Sequence, residues 1–500
     1  MVSINTSDLT VPSVKVIVAF AVGIYIIKTL YIALASPLRR LPGPTYTLFS
    51  NLPLKLSVLT GKKIYFIDSL HRAHGPIVRI SPKEVAVNSL EGFKQIHSIK
   101  SGYEKSRWYD AFAGQFDGLE KPTTFSMWNK HDHGVRRKMF ARAFSKTSLR
   151  AEWEDIVRAK CTLAVARMGE ESKRLGKVNV FKWWIFLSND ILGELAFGES
   201  FGNLDRGVKN EFIDVLETAG KGGGLKAELP LLQTVGSKIP TKGMQRLWNG
   251  RSLIREYATR AIDTTRSQAG MKNIFANAVA MADDDAETLS DDDIQAEAVN
   301  FIIAGSDTTG TTLTYLTWAV LQRPNVQTTL EQEVANLPAD FSDADLEALP
   351  FLNAIIDETL RLYGAAPGSL PRMVPSGGAQ LGDYFVPEGF TVSTQSYSLH
   401  RDPTLFSDPE RYDPWRWLDT ANPLSKEAKA AFHPFGAGSR TCIGVHLAHM
   451  ELRIATALFF REWRGVARLA PETTPESMHM ENFFLISPES NKCEVVIGKS

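Results

Sequence analysis

A single cysteine stands in a glycine-rich segment directly before a helical pattern. The segment is Phe435-Gly436-Ala437-Gly438-Ser439-Arg440-Thr441-Cys442-Ile443-Gly444, and apolar residues at helical spacing follow from Leu447. The glycines permit a tight turn that places Cys442 at the start of the helix, where backbone amides favour a thiolate over a thiol. Because a thiolate is a strong donor to metals such as haem iron, Cys442 is a candidate metal ligand. A buried structural cysteine beside a turn is the alternative.

The composition narrows the class of protein further. The 500 residues are 44% hydrophobic and carry a formal net charge of zero, so the chain can bury a large core and lacks the basic excess typical of nucleic-acid-binding proteins. Cys161, Cys442 and Cys493 are its only cysteines, too few and too scattered for a disulfide framework or a clustered zinc site. A functional cysteine is therefore expected to act alone.

The N-terminal region contains a mostly apolar stretch from Val14 to Ala35. Its length suits one membrane-spanning helix, and the positive pair Arg39-Arg40 after it places the following chain in the cytosol by the positive-inside rule. We predict a retained membrane anchor over residues 1–40 and a folded domain over residues 41–500. A cleaved signal peptide and a helix lying on the membrane surface are the alternatives.

The rest of the chain predicts a mainly α-helical protein with minor β-sheet. Two short strands are predicted at residues 77–80 and 84–88, and strand patterns return at residues 380–392 and near the C-terminus. Amphipathic helical patterns dominate between about residues 130 and 365.

The longest helical pattern runs from Asp291 to Gln322. Ser290 and Asp293 form a predicted capping box at its start, and Pro324 stops the pattern. A helix of this length is long enough to cross the whole domain.

This long helix contains a run of poor helix formers from Ala304 to Thr312. Small residues would let a flat ligand approach the helix backbone, and Thr308 and Asp307 could hold water and pass protons to dioxygen. Tight packing against another helix is the alternative explanation for the run.

These motifs together resemble those of the cytochrome P-450 family of haem-thiolate monooxygenases. The fixed residues of the family's haem-binding loop are all present, namely Phe435, Gly436, Gly438, Arg440, Cys442 and Gly444. The resemblance covers essentially the whole chain after the N-terminal stretch. It implies the cytochrome P-450 fold, a helical haem domain with small β-sheets. It also implies haem b (iron protoporphyrin IX) with Cys442 as the metal ligand, Ala304 beside the haem, and Thr308 and Asp307 as catalytic residues.

The resemblance also implies a buried structural network behind the haem loop. Glu358 and Arg361 lie three residues apart and so share one helix face, although such pairs alone usually lie on solvated surfaces. In the family a downstream arginine completes the network. Arg416 is the better match because an aromatic residue follows it in Asp413-Pro414-Trp415-Arg416-Trp417, and Arg411 in an earlier similar segment is the alternative.

Haem propionates need cationic or hydrogen-bonding partners when they are buried. The family resemblance assigns this role to Arg440, Arg372, His133 and Arg137. Many family members have tryptophan at the position of His133, and a solvent-facing histidine is the alternative there.

Substrate contacts in the family come from four separate segments, which here are rich in phenylalanine. The expected contacts are Phe112, Phe116, Phe125, Phe301, Ala366, Leu370, Phe483 and Phe484. Such a pocket suits a hydrophobic or ring-bearing substrate, although each of these residues could instead belong to the core. The anchor and the segment from Ser106 to Phe112 resemble fungal members that act on secondary metabolites.

The chain contains no segment resembling a nicotinamide or flavin domain, so electrons are expected from a separate NADPH-cytochrome reductase. A basic patch could guide this partner, formed by Arg136, Arg137, Lys138, Arg142 and Arg453. The resemblance further implies a single-pass protein of the endoplasmic reticulum membrane with a cytosolic catalytic domain.

Three functions are compatible with this reading of the sequence. The first is insertion of one atom of O2 into an apolar small molecule. The second is a haem-thiolate isomerase or dehydratase that does not activate O2, and the pair Asp307-Thr308 argues against it. The third is a haem-based sensor or a carrier of hydrophobic ligands, which would need no proton delivery.

Overall fold

The computed structural model describes residues 14–113, 121–209, 211–267, 273–276, 278–279 and 289–498. The α-helices among them are α1 Val14–Ala35, α2 Leu52–Leu59, α3 Lys63–His74, α4 Leu90–His97, α5 Trp108–Phe112, α6 Lys130–Ala141, α7 Lys146–Glu152, α8 Glu154–Leu175, α9 Val180–Phe197, α10 Asn203–Arg206, α11 Glu211–Glu228, α12 Pro230–Gly236, α13 Lys242–Ser267, α14 Asp291–Leu321, α15 Pro324–Ala335, α16 Asp343–Glu347, α17 Pro350–Tyr363, α18 Ser396–Leu399, α19 Lys426–Ala431 and α20 Val445–Glu462. Short 3-10 helices lie at Pro37–Arg40, Thr45–Leu48, Pro414–Trp417 and Gly438–Arg440.

The strands are short, as predicted for a mainly helical protein. They are β1 Ile77–Ser81, β2 Glu84–Val87, β3 Glu104–Lys105, β4 Val178–Asn179, β5 Arg372–Met373, β6 Ala379–Leu381, β7 Tyr384–Val386, β8 Thr391–Ser393, β9 Ala467–Leu469, β10 Met480–Asn482, β11 Ile486–Pro488 and β12 Glu494–Ile497. The largest sheet has the order β1-β2-β8-β5-β3 and begins with the predicted antiparallel hairpin. At its far edge Lys105 pairs with Arg372, which sets two cations side by side.

Helix α14 is the central element of the fold, and its prediction is confirmed. Ser290 caps it, and both hydrogen bonds of the capping box with Asp293 are present. Helix α9 packs along α14, and two glycines of the small-residue run allow this approach. A β-carbon at Gly310 would lie 2.8 Å from the Trp184 carbonyl oxygen, and one at Gly305 would lie 2.9 Å from Leu192 Cδ1. Tight helix packing therefore explains these two glycines.

Helix α1 differs from the other helices because its apolar side chains are exposed. Within the described part of the chain, its segment Lys15–Ala35 is the one helix long and apolar enough to cross a membrane, with a mean hydropathy of 2.2. Its length and apolar composition are those of a membrane-spanning helix.

Candidate active site

A cavity of about 330 Å³ lies between the middle of α14 and the loop that carries Cys442. Cys442 is exposed to this cavity, whereas Cys161 and Cys493 are buried in the core. Ala304 is also exposed although it lies in the middle of a largely buried helix, so its methyl group faces the same internal space. The cavity is thus bounded by a sulfur on one side and by the backbone of α14 on the other.

The Cys442 loop is held by glycine geometry and one backbone hydrogen bond. Gly436 and Gly438 have φ angles of 72° and 64°, which favour glycine. A β-carbon at Gly438 would lie 2.1 Å from the His97 carbonyl oxygen, so the loop could not pack there with a larger residue. The Cys442 amide donates to the Phe435 carbonyl at 2.9 Å. These contacts fix the direction of the sulfur toward the cavity.

Desolvation dominates the pKa of Cys442 in the protein alone. Burial raises the pKa of the Cys442 thiol, and the Gly444 amide and the Arg137 guanidinium oppose this effect without reversing it. The amides at the helix start are therefore outweighed by desolvation in the protein alone. Because metal ligands lose their protons on binding, a thiolate here would form together with metal coordination.

The opposite wall of the cavity carries Thr308. Its hydroxyl donates to the Ala304 carbonyl at 2.9 Å, one turn earlier on the same helix face. Asp307 does not line the cavity and instead faces α11, where a β-carbon at Gly220 would lie 3.9 Å from its Oδ2. Of the two predicted catalytic residues, only Thr308 lies directly on the cavity.

Basic side chains converge on one side of the cavity from four parts of the chain. Four of them were predicted from sequence, and β3 adds a fifth. They are His133, Arg137, Arg372, Arg440 and Lys105. Arg440 donates to the carbonyls of residues 127, 128 and 129, and Arg372 donates to the Tyr109 hydroxyl at 3.0 Å. Among the described residues, none of the five is paired with a carboxylate.

The unmatched positive charge shifts several pKa values downward. Burial, together with the neighbouring Arg372, lowers the pKa of Arg440 to about 10. Burial and repulsion from Arg440, Lys105 and Arg137 together lower the pKa of His133 to about 3, so its imidazole is neutral near pH 7 and offers a hydrogen bond instead of a charge. The pKa of Lys105 lies well below its ordinary value for the same reasons. A buried cluster of this kind matches a ligand that carries negative charge.

The residues of the cavity fit a haem group. A sulfur donor faces the cavity, α14 presents a small side chain at Ala304, and the cation cluster could neutralise two propionates. Among the described residues, no group of three or more histidine, cysteine or acidic side chains could hold a metal ion, so Cys442 would act as a single protein ligand.

Behind the loop, Glu358 lies at the centre of a fully buried hydrogen-bonded network. Its carboxylate accepts from Arg361 Nε at 2.9 Å and Nη2 at 2.8 Å, and from Arg416 Nε at 3.0 Å. Trp417 Nε1 and the Asp413 amide complete its partners. Arg411, the alternative to Arg416, has an exposed side chain, and only its backbone carbonyl joins the network. Hydrogen bonds and ion pairs hold the pKa of Glu358 below its ordinary value against the effect of burial.

The predicted substrate contacts divide into four groups. Phe112, Phe125, Phe484, Ala366 and Leu370 line the cavity. Phe301 also borders the cavity but is buried against the rings of Phe140, Phe144 and Phe275 in the core. Phe116 lies outside the described residues. Phe483 does not line the cavity, because Phe484 faces it and Phe483 points away toward Gly61 and Lys221.

The predicted basic patch is also only partly present at the surface. Arg136 is buried between Asp293 and Glu297, and Arg453 is buried against Asp343. Charged residues that pair inside the protein cannot guide a partner, so these two assignments are wrong. Lys138 and Arg142 are exposed, and Arg137 faces the cavity instead.

Sequence reasoning missed two charged residues of the cavity. Lys105 reaches it because β3 pairs with β5, a long-range contact without a local signal. Glu451 lies on α20 nine residues after the cysteine and lines the cavity opposite Thr309. The signal that could have found it is an acidic residue on the mostly apolar helix that follows Cys442.

Comparison with known proteins identifies the class. A sequence model of the family described as cytochrome P-450 matches residues 41–495. The cytochrome P-450 monooxygenase tazI of Aspergillus terreus is 40% identical over 477 residues, covering 94% of this chain and 96% of its own. The cytochrome P-450 monooxygenase cypX of Dothistroma septosporum is 38% identical over 98% of this chain and 97% of its own. The cytochrome P-450 monooxygenase stcB of Emericella nidulans is 37% identical over 95% of this chain and 92% of its own.

The chain belongs to the cytochrome P-450 family. It is a monooxygenase with a haem-thiolate cofactor, and it uses O2, a redox partner and a small-molecule substrate.

Proposed function

We propose that this protein is a membrane-anchored enzyme that uses haem b to insert one atom of O2 into a flat, apolar secondary metabolite. The second oxygen atom leaves as water, and the electrons come from NADPH through a separate NADPH-cytochrome reductase. The observation that supports this most is the position of the Cys442 sulfur across the cavity from the Ala304–Thr308 face of α14.

In this proposal Cys442 is the ligand of the iron. Phe435, Gly436 and Gly438 shape the loop that directs its sulfur. The propionates are held by the cation cluster of Lys105, His133, Arg137, Arg372 and Arg440, because these residues lack carboxylate partners of their own among the described residues. Glu358, Arg361 and Arg416 support the loop from behind.

Bound haem with a thiolate ligand supplies the activation of dioxygen. The protein would contribute proton delivery at Thr308, whose hydroxyl lies on the cavity and donates to the Ala304 carbonyl at 2.9 Å. In this role the hydroxyl would exchange that bond for one to a cavity water. Asp307, the residue before Thr308, faces α11 and would relay protons from that side. The aromatic wall of Phe112, Phe125 and Phe484 excludes bulk water and orients a ring-bearing substrate.

The same proposal places residues 1–40 in the endoplasmic reticulum membrane as a single-pass anchor. Residues 41–500 then form the catalytic domain in the cytosol, following the positive pair Arg39-Arg40. Lys138 and Arg142 are the exposed members of the basic patch and form part of the reductase contact.

The test is the carbon monoxide difference spectrum of the dithionite-reduced protein. We expect an absorption band at about 450 nm in the wild type and its loss in Cys442→Ala. A band at about 420 nm, or none, in well-folded wild-type protein would mean that the sulfur does not bind the iron.

The activity itself is tested with added reductase. Substrate-dependent consumption of NADPH is expected for a monooxygenase, whereas an isomerase, a sensor or a carrier would show none.

A further inference from the structure

A fully buried carboxylate on α14 holds the segment that carries Phe125. Glu297 accepts a hydrogen bond from the Thr124 amide at 2.7 Å on one oxygen and from the Thr124 hydroxyl at 2.9 Å on the other. Arg136 Nη1 and Asn300 Nδ2 each donate to it at 3.4 Å. Burial raises the pKa of Glu297 to about 7, while Arg136, Thr124 and Asn300 oppose this shift. Every partner of Glu297 is a donor, so the ionised form is the one that satisfies all of them at once.

Thr124 belongs to a compact turn with little freedom of its own. Thr123 and Ser126 hydrogen-bond each other through both backbone and side chain, and they are 1% and 0% exposed. The turn is tied to α14 by the two bonds from Thr124 to Glu297 and by a weaker one from Asn300 Nδ2 to the Thr124 hydroxyl at 3.3 Å. Glu297 therefore connects a rigid turn to a rigid helix.

Phe125 lies in the same turn and forms one side of the aromatic wall. Its ring centroid is 5.4 Å from that of Phe112 and 5.5 Å from that of Phe484. Any displacement of the turn would move this ring relative to the other two. The hydrogen bonds of Glu297 thus act on the shape of the cavity without Glu297 lining it.

We propose that Glu297 is a positioning residue that sets the selectivity of the pocket for flat aromatic ligands by tethering the Thr124–Phe125 turn to α14. This inference rests on the proposed function, because it takes the aromatic wall as the substrate side of the haem cavity. A purely structural carboxylate would stabilise the protein and leave ligand selectivity unchanged.

The test uses the full-length, haem-loaded protein and two probes that coordinate haem iron through nitrogen. Imidazole is too small to reach the aromatic wall from the iron, whereas the phenyl group of 4-phenylimidazole extends to it. The dissociation constants are read from the shift of the haem absorption band. We expect Glu297→Gln to weaken the binding of 4-phenylimidazole by about tenfold and that of imidazole by less than about twofold. The reason is that one charge-assisted hydrogen bond to Thr124 is lost and one donor is left facing another. Thr124→Val removes only the hydroxyl and should act in the same direction by about threefold.

Asp293→Asn is the matched control. Asp293 lies one turn earlier on the same helix face and bonds Arg136 at 2.9 Å, but it does not contact Thr124. This variant should lower thermal stability and keep the ratio of the two dissociation constants at its wild-type value.

The outcomes separate the two proposals. An unchanged ratio in both Glu297→Gln and Thr124→Val would overturn the positioning role, as would an equal change in Asp293→Asn. If Glu297→Gln does not fold, Thr124→Val decides. Failure of the proposed haem-thiolate site would appear separately, as a missing band at about 450 nm in every variant, including the wild type.

Discussion

Replacing Arg416 by methionine should destabilise the protein much more than the same change at Arg411. Arg416 is buried, and its Nε donates to Glu358 at 3.0 Å while its Nη1 donates to the Ser407 carbonyl at 2.7 Å. Methionine keeps the aliphatic part of the side chain and removes these donors. A charge-assisted hydrogen bond contributes about 1.5–3 kcal/mol and an orphaned buried carbonyl costs about 1–3 kcal/mol, so Arg416→Met should cost on the order of 4 kcal/mol.

Arg411 provides the internal comparison. Its side chain is 67% exposed and lies 3.9 Å from Asp413, so Arg411→Met should cost less than about 0.5 kcal/mol. Because the total stability of a protein is about 5–15 kcal/mol, the first variant loses a large fraction of it and the second almost none.

Urea unfolding of the two variants, with the carbon monoxide band per mole of protein as a second readout, measures this difference. Arg416→Met should shift the unfolding midpoint strongly downward and retain little haem. Equal midpoints for the two variants would refute the assignment of the network to Arg416.

Three further predictions address the cavity. Thr308→Ala should uncouple NADPH consumption from product and release hydrogen peroxide, and unchanged coupling would contradict the proton role. Lys105→Met should speed transfer of haem to apomyoglobin by about tenfold through loss of one propionate partner, with Lys138→Met as an exposed control. Burial raises the pKa of Glu451 from 4.5 to about 8, so the native state keeps a proton that the unfolded chain releases, and stability should fall between about pH 5 and pH 8. Glu451→Gln should flatten this fall, by on the order of 3 kcal/mol at pH 8, in thermal unfolding followed against pH.

The parts of the fold that were predicted correctly have local causes. The capping box of α14, the first hairpin and the glycine turn before Cys442 each follow from residues close together in the chain. Their geometry is decided within a few residues, so a single sequence contains the necessary information.

The parts that were missed depend on distant pairings and on burial. Lys105 meets Arg372 only through the pairing of β3 with β5. Nothing in the local sequence distinguishes Arg136 and Arg453 from surface arginines. The tertiary fold places the carboxylates of Glu297 and Asp343 against them. Which of Phe483 and Phe484 faces the cavity depends on the local backbone conformation, in which Phe484 has a φ of 130°. Sequence composition does not determine any of these three features.

The small-residue run of α14 shows how one motif can serve two purposes. Successive residues of an α-helix are separated by about 100°, so Ala304 and Thr308 lie on one face while Gly305 lies on another. The first face borders the cavity, Gly310 meets α9, and Gly305 lies between the two because it contacts Leu192 of α9 and also borders the cavity. Asn300 continues the cavity face one turn earlier and bonds Glu297, which in turn holds the Phe125 turn. Because packing against α9 fixes the rotation of α14, it also fixes where Thr308 and Asn300 point, and the geometry of the pocket therefore depends on the glycines at the α9 interface.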